Sequence, residues 1–570
     1  MKHLLKYFKG YIPQTLLAPL FKLCEVIFEL LVPLIMQQII DVGIKNADKP
    51  YIFKMCGLLV LFGICGLGFA LTAQYFAAKS AVGFATGLRS DMFKKINSLS
   101  FSQLDYLGNS TIITRMTTDV NQLQNGVNMI LRLALRSPFI VFGALFMAFL
   151  IDPQSSIVFV ITIAVLFAVV FAILLITIPL YKKVQGKLDK VLKRTRENLL
   201  GIRVIRAFCL EKSEKSKFED ENSELNKSQI FVGRISALLN PLTYVLINLA
   251  IAVLIYVGAI RVDSGLLTQG AVVALYNYMS QILVELVKLA NTVILTNKSF
   301  ASAARINDVL QLPEDDNQYA DGSPENASAP AVCFDNVSLN YNNSPEAALQ
   351  DISFTLNAGE TLGIIGSTGS GKTSVAMMIP HFYEATKGVV KIFGKDVKTY
   401  NNETLRSFVG IVLQTAALFS GTIRDNIRWG NNDADDEEII DALKTAQAYE
   451  FVAKLDKGLD SPVAQNGKNF SGGQRQRLSV ARAIVKKPKI LILDDSSSAL
   501  DYATDLELRR SIKNLPFKPT TIIISQRTAS VMSADKILVL DDGKAVGLGT
   551  HEQLLENCEV YKEIYNCANK

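Results

Sequence analysis

Apolar positions in the first 300 residues gather into long runs separated by polar intervals. Six runs, near 15–41, 52–78, 128–150, 155–181, 235–260 and 270–296, meet the roughly 20 residues that a bilayer-crossing helix needs. The intervals alternate in character. Those at 43–51, 151–155 and 261–269 are short, while 79–127 and 182–234 are long, polar and rich in Lys and Arg. Basic connections stay on the cytoplasmic side, so the long intervals and, with six spans, both chain ends are expected there. Their polar sequence continues straight from the apolar runs, which predicts helices that project well beyond the membrane. The opening MKHLLKYFKG sets Leu4, Leu5 and Phe8 on one helical face and Lys2, Lys6 and Lys9 on the other, the pattern of a helix lying in the interface. A secretory leader is not expected, because the run that follows is long and carries Lys22, Glu25 and Glu29.

Beyond residue 331 the period changes. Short runs such as AVCFDNVSL, TLGIIG, KILILDD and TTIIIS alternate with helical stretches, which predicts an α/β domain with a mostly parallel core and an antiparallel portion. The acidic stretch at 311–330, with Pro and Ser and no apolar periodicity, reads as a linker. The expected division is a membrane domain at 1–310, the linker at 311–330 and a soluble domain at 331–570. Composition agrees with two unlike halves: 49% hydrophobic residues exceed the ordinary soluble level, and 20% charged residues exceed a purely membrane one. A net charge of +6 suits an anionic membrane surface and gives no reason to invoke nucleic acid. The seven cysteines are scattered, odd in number and without a CxxC pair, so no disulfide framework is expected and they read as buried or inert thiols in a reducing compartment.

Charged residues inside spans are costly and mark either internal pairs or a pathway. Glu25 and Glu29 share a face of the first span, Arg132 and Arg136 repeat that spacing on the third, and Glu285 and Lys288 stand three apart on the sixth. Two readings stay open at this point: mutual pairing beside an inner vestibule, or a translocation path favouring cationic or amphipathic cargo.

The soluble half carries its own chemistry. GIIGSTGSGKTS places Gly366, Gly371, Lys372 and Thr373 in the GxxxxGK[ST] spacing, after an apolar strand and before a helix. In such a loop (Gly366, Ser367, Thr368, Gly369, Ser370, Gly371, Lys372, Thr373, Ser374) backbone N–H groups converge on phosphate oxygens at a helix N-terminus. Lys372 reaches the outer phosphates, and Thr373 is a ligand for Mg²⁺. Asp494, at the end of a second hydrophobic strand, is the acid that completes a magnesium site in phosphate-loop nucleotidases.

NFSGGQRQRLSVARAIVKKPKILILDD, residues 469–495, adds a Ser-Gly-Gly-Gln turn at a helix start just ahead of that acidic strand. With FSQLDYLGNSTIITRMTTDV, ENLLGIRVIRAFCLEKSEKSKFEDEN and LQTAALFSGTIRDNI, the chain resembles the ATP-binding cassette (ABC) transporters along essentially its whole length. The specific likeness is to the exporter type, in which an α-helical six-span transmembrane domain is fused to an α/β phosphate-loop nucleotide-binding domain. The resemblance implies ATP and Mg²⁺ as cofactors. Tyr341 would stack on adenine, and Gln414 would touch Mg²⁺ and couple to the membrane half. Ser471, Gly472, Gly473 and Gln474 would form the signature that closes over nucleotide held by the opposite subunit, and Asp501 would lie in the loop between the two sites. It further implies intracellular coupling helices near 109–120 and 200–208, alternating access, and a multi-pass location in the cell membrane, that of the bacterial cytoplasmic membrane.

Three positions depart from the family pattern, and they cluster around hydrolysis. Asp495 stands in place of the usual glutamate that orients the attacking water, which withdraws the carboxylate by about 1.5 Å. A misplacement near 1 Å costs on the order of a hundredfold in rate. Gln526 stands where the family has a histidine facing the γ-phosphate, and Gln cannot become a cation near neutral pH. Gln465, in SPVAQNG, replaces a usual glutamate in a segment thought to cross between subunits. The binding elements are intact. The expected protein is one half of a heterodimeric exporter of amphipathic compounds or drugs. Its own site would be slow or non-hydrolytic, and its signature would complete the partner subunit's competent one. The rival expectations are a homodimeric exporter in which Asp495 is a slow base, and an ATP-gated regulatory or channel-like protein. An importer is not expected, since importers of this superfamily usually keep spans and cassette on separate chains.

Overall fold

The computed structural model describes residues 2–313, 329–341 and 346–568, so most of the expected linker, 314–328, lies outside the described residues. Two compact units emerge: 1–95 with 110–312, and 96–109 with 313–570. The second takes in a short piece of the polar interval at 79–127, far from the cassette in sequence.

Among the described residues of the first unit, six helices are long and apolar enough to cross a membrane. They span His3–Ile44, Lys49–Asn97, Asn109–Ile151, Pro153–Leu200 and Glu211–Asp263, and the sixth runs through Gln269–Leu310. At 1.5 Å per residue the 49-residue second helix is about 73 Å long, far more than the roughly 30 Å apolar layer. The projecting helices expected from the polar intervals are therefore present. The short connections close the opposite end, where Asp41 accepts hydrogen bonds from the Thr268 hydroxyl (2.6 Å) and the Gly270 N–H (2.8 Å).

The N-terminal segment corrects one expectation. Lys2–Tyr11 forms a 3₁₀ helix, in which residues three apart share a row, so Leu4 and Tyr7 align while Leu5 turns outward. The row docks on the second helix. Tyr7 and Phe8 pack on Phe84 (ring centroids 5.9 and 4.7 Å), and Lys6 and the Tyr7 hydroxyl both reach Asp91 (2.8 and 2.9 Å). Tyr11 fills the space over Gly83, where any Cβ would come within 2.1 Å of its ring.

The span charges also resolve. Arg136 donates to Glu285 (2.6 Å) and Glu29 (2.8 Å) and lies 3.8 Å from Glu25; Lys22 holds Glu25 at 2.5 Å and Lys288 holds Glu285 at 2.9 Å. Ser137 adds a hydroxyl to the second oxygen of Glu285. All three acids are thus neutralised by bases of the same chain, which favours the internal-pairing reading and takes away the ground for a cationic cargo preference. Nearer the start of the third long helix, buried Asp119 is held by Arg115 (2.9 Å) and by Arg305 of the sixth helix.

The cassette unit is built on a ten-stranded sheet. Its strands are β1 (Val332–Leu339), β2 (Leu349–Leu356), β3 (Thr361–Gly366), β4 (Lys387–Ile392), β5 (Lys395–Asp396) and β6 (Val409–Val412). They continue, past a two-stranded ribbon of β7 (Gly421–Thr422) and β8 (Pro462–Val463), with β9 (Ile490–Asp494), β10 (Thr520–Ile524), β11 (Lys536–Asp541) and β12 (Lys544–Gly549). The order is β5-β4-β1-β2-β12-β11-β3-β10-β9-β6. The run β11-β3-β10-β9-β6 is parallel and β5-β4-β1-β2 is antiparallel, the mixed sheet that the sequence predicted. β9 is buried at every position, as a strand covered on both faces requires. That burial fixes Asp494 at its carboxyl end, one strand (β10) away from the end of β3 where the glycine loop begins.

Candidate functional site

Backbone geometry dictates the loop's glycines at two points. A Cβ on Gly366 would sit 2.0 Å from the Leu540 carbonyl oxygen. Gly371 has φ +92° and its Cβ would meet Leu349 at 2.6 Å, so both sterics and conformation demand glycine. Gly371 caps the helix Lys372–Met378 and points that helix's N-terminus into a cleft of about 270 Å³. The cleft gathers Tyr341, Thr368, Gly369, Gly371, Lys372, Thr373, Ser374, Gln414, Asp494, Asp495 and Gln526, residues the sequence had scattered over nearly 190 positions.

Within it, the Lys372 ammonium donates to the carbonyls of Gly366 (2.9 Å) and Ser367 (2.5 Å) and leans on the Ser370 hydroxyl (3.4 Å). Burial pulls its pKa below the usual lysine value, opposed by the charges of Asp495 and Asp494. Thr373 donates to one oxygen of Asp494 at 3.1 Å, while the other oxygen, Oδ2, is buried without a hydrogen-bond partner. Burial raises the Asp494 pKa, with the like charge of Asp495 adding to it and Thr373 and Lys372 opposing. An orphaned buried carboxylate oxygen beside a threonine hydroxyl is the hard-oxygen donor set that fits Mg²⁺. Tyr341 makes a hydroxyl–hydroxyl hydrogen bond with Ser374 (2.9 Å) and stands edge-on to Tyr383, leaving an aromatic wall beside the loop.

Asp495 sits directly after Asp494 in a left-handed backbone, φ +44°, its N–H bonded to the Ile524 carbonyl at 2.9 Å. Its carboxylate accepts a 3.3 Å hydrogen bond from the Gln414 amide. Gln526 is exposed at the end of β10. Ser525, buried beside it with its hydroxyl accepting from the Arg527 N–H, also lines the cleft; nothing in its residue type had marked it.

Ser471, Gly472, Gly473, Gln474 and Asp501 do not line this cleft. Ser471 caps the helix Gly472–Val485 through a reciprocal box with Gln474 (3.3 and 2.9 Å), and Ser471 and Gly472 are exposed. A Cβ on Gly473 would come within 2.8 Å of the Ala499 carbonyl, which ties the turn to the stretch after the acidic strand. Asp501 caps the helix Tyr502–Lys513, and the Thr504 backbone N–H (2.9 Å) and hydroxyl (2.8 Å) hold its carboxyl below the usual range.

The first expected coupling segment is 109–120. That stretch is the base of the third long helix, whereas Phe101–Leu107, within the cassette's own unit, is the short helix that docks. Ser100 and Gln103 form a capping box that starts it, and Gly108 at φ +72° ends it. Phe101 stacks on Phe382 at 4.2 Å, and the Tyr383 hydroxyl donates to Asp105. The second expected helix is present at Ile202–Ala207, with Ile202, Val204 and Phe208 exposed.

Known proteins place both halves. Residues 15–286 match the family model of the ABC transporter transmembrane region and residues 349–498 that of the ABC transporter domain. The uncharacterized ABC transporter ATP-binding protein YfiB of Bacillus subtilis is 35% identical over 99% of this chain and 98% of its own. Rv1273c of Mycobacterium tuberculosis, similarly described, is 34% identical over 95% and 94%. A bacterial Atm1-family ABC exporter solved with ATP bound superposes with a TM-score of 0.80 at 22% identity, covering 99% of both chains, which shows a shared fold. With two family models and full-length relatives above thirty per cent identity, the chain belongs to the ABC transporter family, as a multi-span membrane domain fused to one ATP-binding cassette.

Proposed function

We propose that this chain is one half of a heterodimeric, ATP-driven exporter of amphipathic compounds in the bacterial cytoplasmic membrane, and that its own nucleotide site holds ATP longer than it cleaves it. The observation that carries the reading is the separation of parts. The phosphate loop, Asp494 and Asp495 share one cleft, while the exposed Ser471 turn, the piece needed to close over the triphosphate, lies outside it. Such a cleft is completed by a second cassette, and this chain's signature serves that cassette in return.

In this scheme Tyr341 stacks on the base, the loop N–H groups and Lys372 hold the phosphates, and Thr373, Asp494 and Gln414 hold Mg²⁺, which draws off developing charge on the phosphates. Closure of the cassettes moves Phe101–Leu107 with its own cassette, and the exposed apolar tip at Ile202–Ala207 suits docking on the partner's. Repeated closing and opening alternates access to a cavity between the two membrane halves. At the site in this chain the general base is weak twice over: Asp495 is one methylene short and engaged by Gln414, and Gln526 brings no cationic support.

The deciding measurement is ATP turnover by the complex with one site disabled at a time. Asp495→Ala is expected to leave more than half the rate, whereas substituting the glutamate at the matching position of the partner nearly abolishes it. Equal collapse in both, or brisk Mg²⁺-dependent turnover by this chain purified alone, would instead establish the homodimer with a working Asp495.

A further inference from the structure

The ion pairs of spans 1, 3 and 6 close on themselves and leave one cation over. Glu25, Glu29 and Glu285 are matched by Lys22, Arg136 and Lys288, a neutral set of three and three. Arg132 is additional. It lies one turn before Arg136 in the π-helical stretch Ile130–Ala134, which packs against both the first and the sixth helix, the helices that supply the partners of Arg136. Arg132 is half-buried and has neither an ion-pair nor a hydrogen-bond partner among the described residues. A guanidinium unneutralised inside a span is costly, and its position calls for a named partner.

Direction sharpens the point. With the long basic intervals on the cytoplasmic side, the third span runs outward and the sixth inward, so Arg132 and Lys288 both fall on the cytoplasmic side of the Arg136–Glu285 pair. Lys22 is likewise on the cytoplasmic side of Glu25. The cluster is therefore polarised, with its bases on the inner rim and its acids above them. Arg136 and Glu285 are largely enclosed (side chains 11% and 4% exposed), while Lys288 is 46% exposed. Nineteen residues separate Arg132 from the outer end of its helix at Ile151, about 28 Å at 1.5 Å per residue, which puts it at the inner edge of the roughly 30 Å apolar layer. An amphiphile entering from the inner leaflet presents its head group at that depth.

We infer that this half carries a subsite for the anionic head, a carboxylate or phosphate, of an amphiphilic cargo, with Arg132 as the ligand and Lys288 as the second cation. The guanidinium fork suits either oxyanion in two-point contact. The inference rests on the exporter reading, whose cargo class it narrows.

The test uses the complete complex in phosphatidylcholine vesicles and two fluorescent probes that differ only in a free carboxylate or its methyl ester. Without ATP, the carboxylate is expected to bind about tenfold more tightly than the ester, the effect of one charge-assisted contact. That ratio should fall to about one in Arg132→Gln and be partly retained in Arg132→Lys; a variant that merely packs poorly weakens both probes and leaves the ratio. A ratio near one in the unmodified complex, or one unchanged in Arg132→Gln, overturns the subsite. Repeating the series with phosphatidylglycerol added separates the sources of the anion. If Arg132→Gln alters only the response to that lipid, the guanidinium serves lipid head groups and the cargo assignment falls. Failure of the exporter reading is visible separately, as absence of ATP-driven uptake of both probes into inverted vesicles while the binding ratio stands.

Discussion

Restoring the missing methylene at Asp495 gives a graded, refutable outcome. Asp495→Glu advances the carboxylate by about 1.5 Å, and since a 1 Å misplacement costs on the order of a hundredfold, geometry alone allows a gain of up to about two orders of magnitude. Two features of the structure reduce it. The backbone at 495 is left-handed (φ +44°), a region that Asp and Asn enter more readily than Glu, so the longer residue incurs about 1 kcal/mol of strain. In a domain of this size that lowers Tm by about 2–4 °C. The second is Gln526, exposed at the strand end, which adds no cation to the support that Lys372 gives the γ-phosphate. Asp495→Glu alone is therefore expected to raise hydrolysis at this site by about tenfold or less, and the double variant with Gln526→His by at least tenfold more. The assay is phosphate release by the reconstituted complex in which the partner's own catalytic carboxylate has been neutralised, so that only this site reports, with ATP affinity measured in parallel. A double variant that binds ATP normally and hydrolyses no faster than the parent would refute the argument from carboxylate reach. Full recovery by the single change would show that Gln526 is not a defect.

Three further outcomes are expected. Tyr341→Ala should weaken ATP binding by about tenfold through lost stacking, while Tyr341→Phe, which gives up only the hydroxyl contact with Ser374, should cost threefold or less, read by equilibrium nucleotide binding. Arg136→Ala strands Glu29 and leaves buried Glu285 with Lys288 and the Ser137 hydroxyl, and should destabilise the membrane unit by about 3 kcal/mol; adding Glu29→Gln should recover part of the thermal stability in detergent, and no recovery would contradict the pairing. Because the Thr504 N–H holds Asp501 below its ordinary pKa, its contribution is present above the usual aspartate range and is lost as pH falls through the folded value. The Tm gap between the parent and Asp501→Ala should accordingly close on acidification, and a gap that widened would be inconsistent with the cap.

How much of this was readable in advance follows from the range of the interactions involved. The glycine loop was legible because Gly366 and Gly371 answer local demands, a carbonyl at 2.0 Å and a φ of +92°. Six spans were legible because a bilayer imposes continuous apolar length. The short helix Phe101–Leu107 has its signals in the sequence: Ser100 and Gln103 three apart, then Gly108. The N-terminal segment was read with an α period, whereas Phe84 and Asp91 select a 3₁₀ row. Pairings such as Arg136 with Glu29 and Glu285 cross 107 and 149 residues, and no local pattern announces them. The left-handed backbone at Asp495 was hidden for a different reason. Aspartate adopts ordinary conformations as readily, so its identity alone does not reveal the turn.

The docking of Phe101–Leu107 on the cassette carries a consequence for biosynthesis. Asp105 and its hydrogen-bond partner Tyr383 are 278 residues apart in the chain. At about 5–20 residues per second, the ribosome finishes the cassette's side of that contact some 15–55 s after releasing the helix. Through that delay Phe101 and its neighbours have no native surface to rest on, and a cassette truncated at the linker emerges with the Phe382 and Tyr383 face bare. The chain's two spatial units are thus not two independent folding problems: the later one is finished only when a short segment of the earlier sequence returns to complete it.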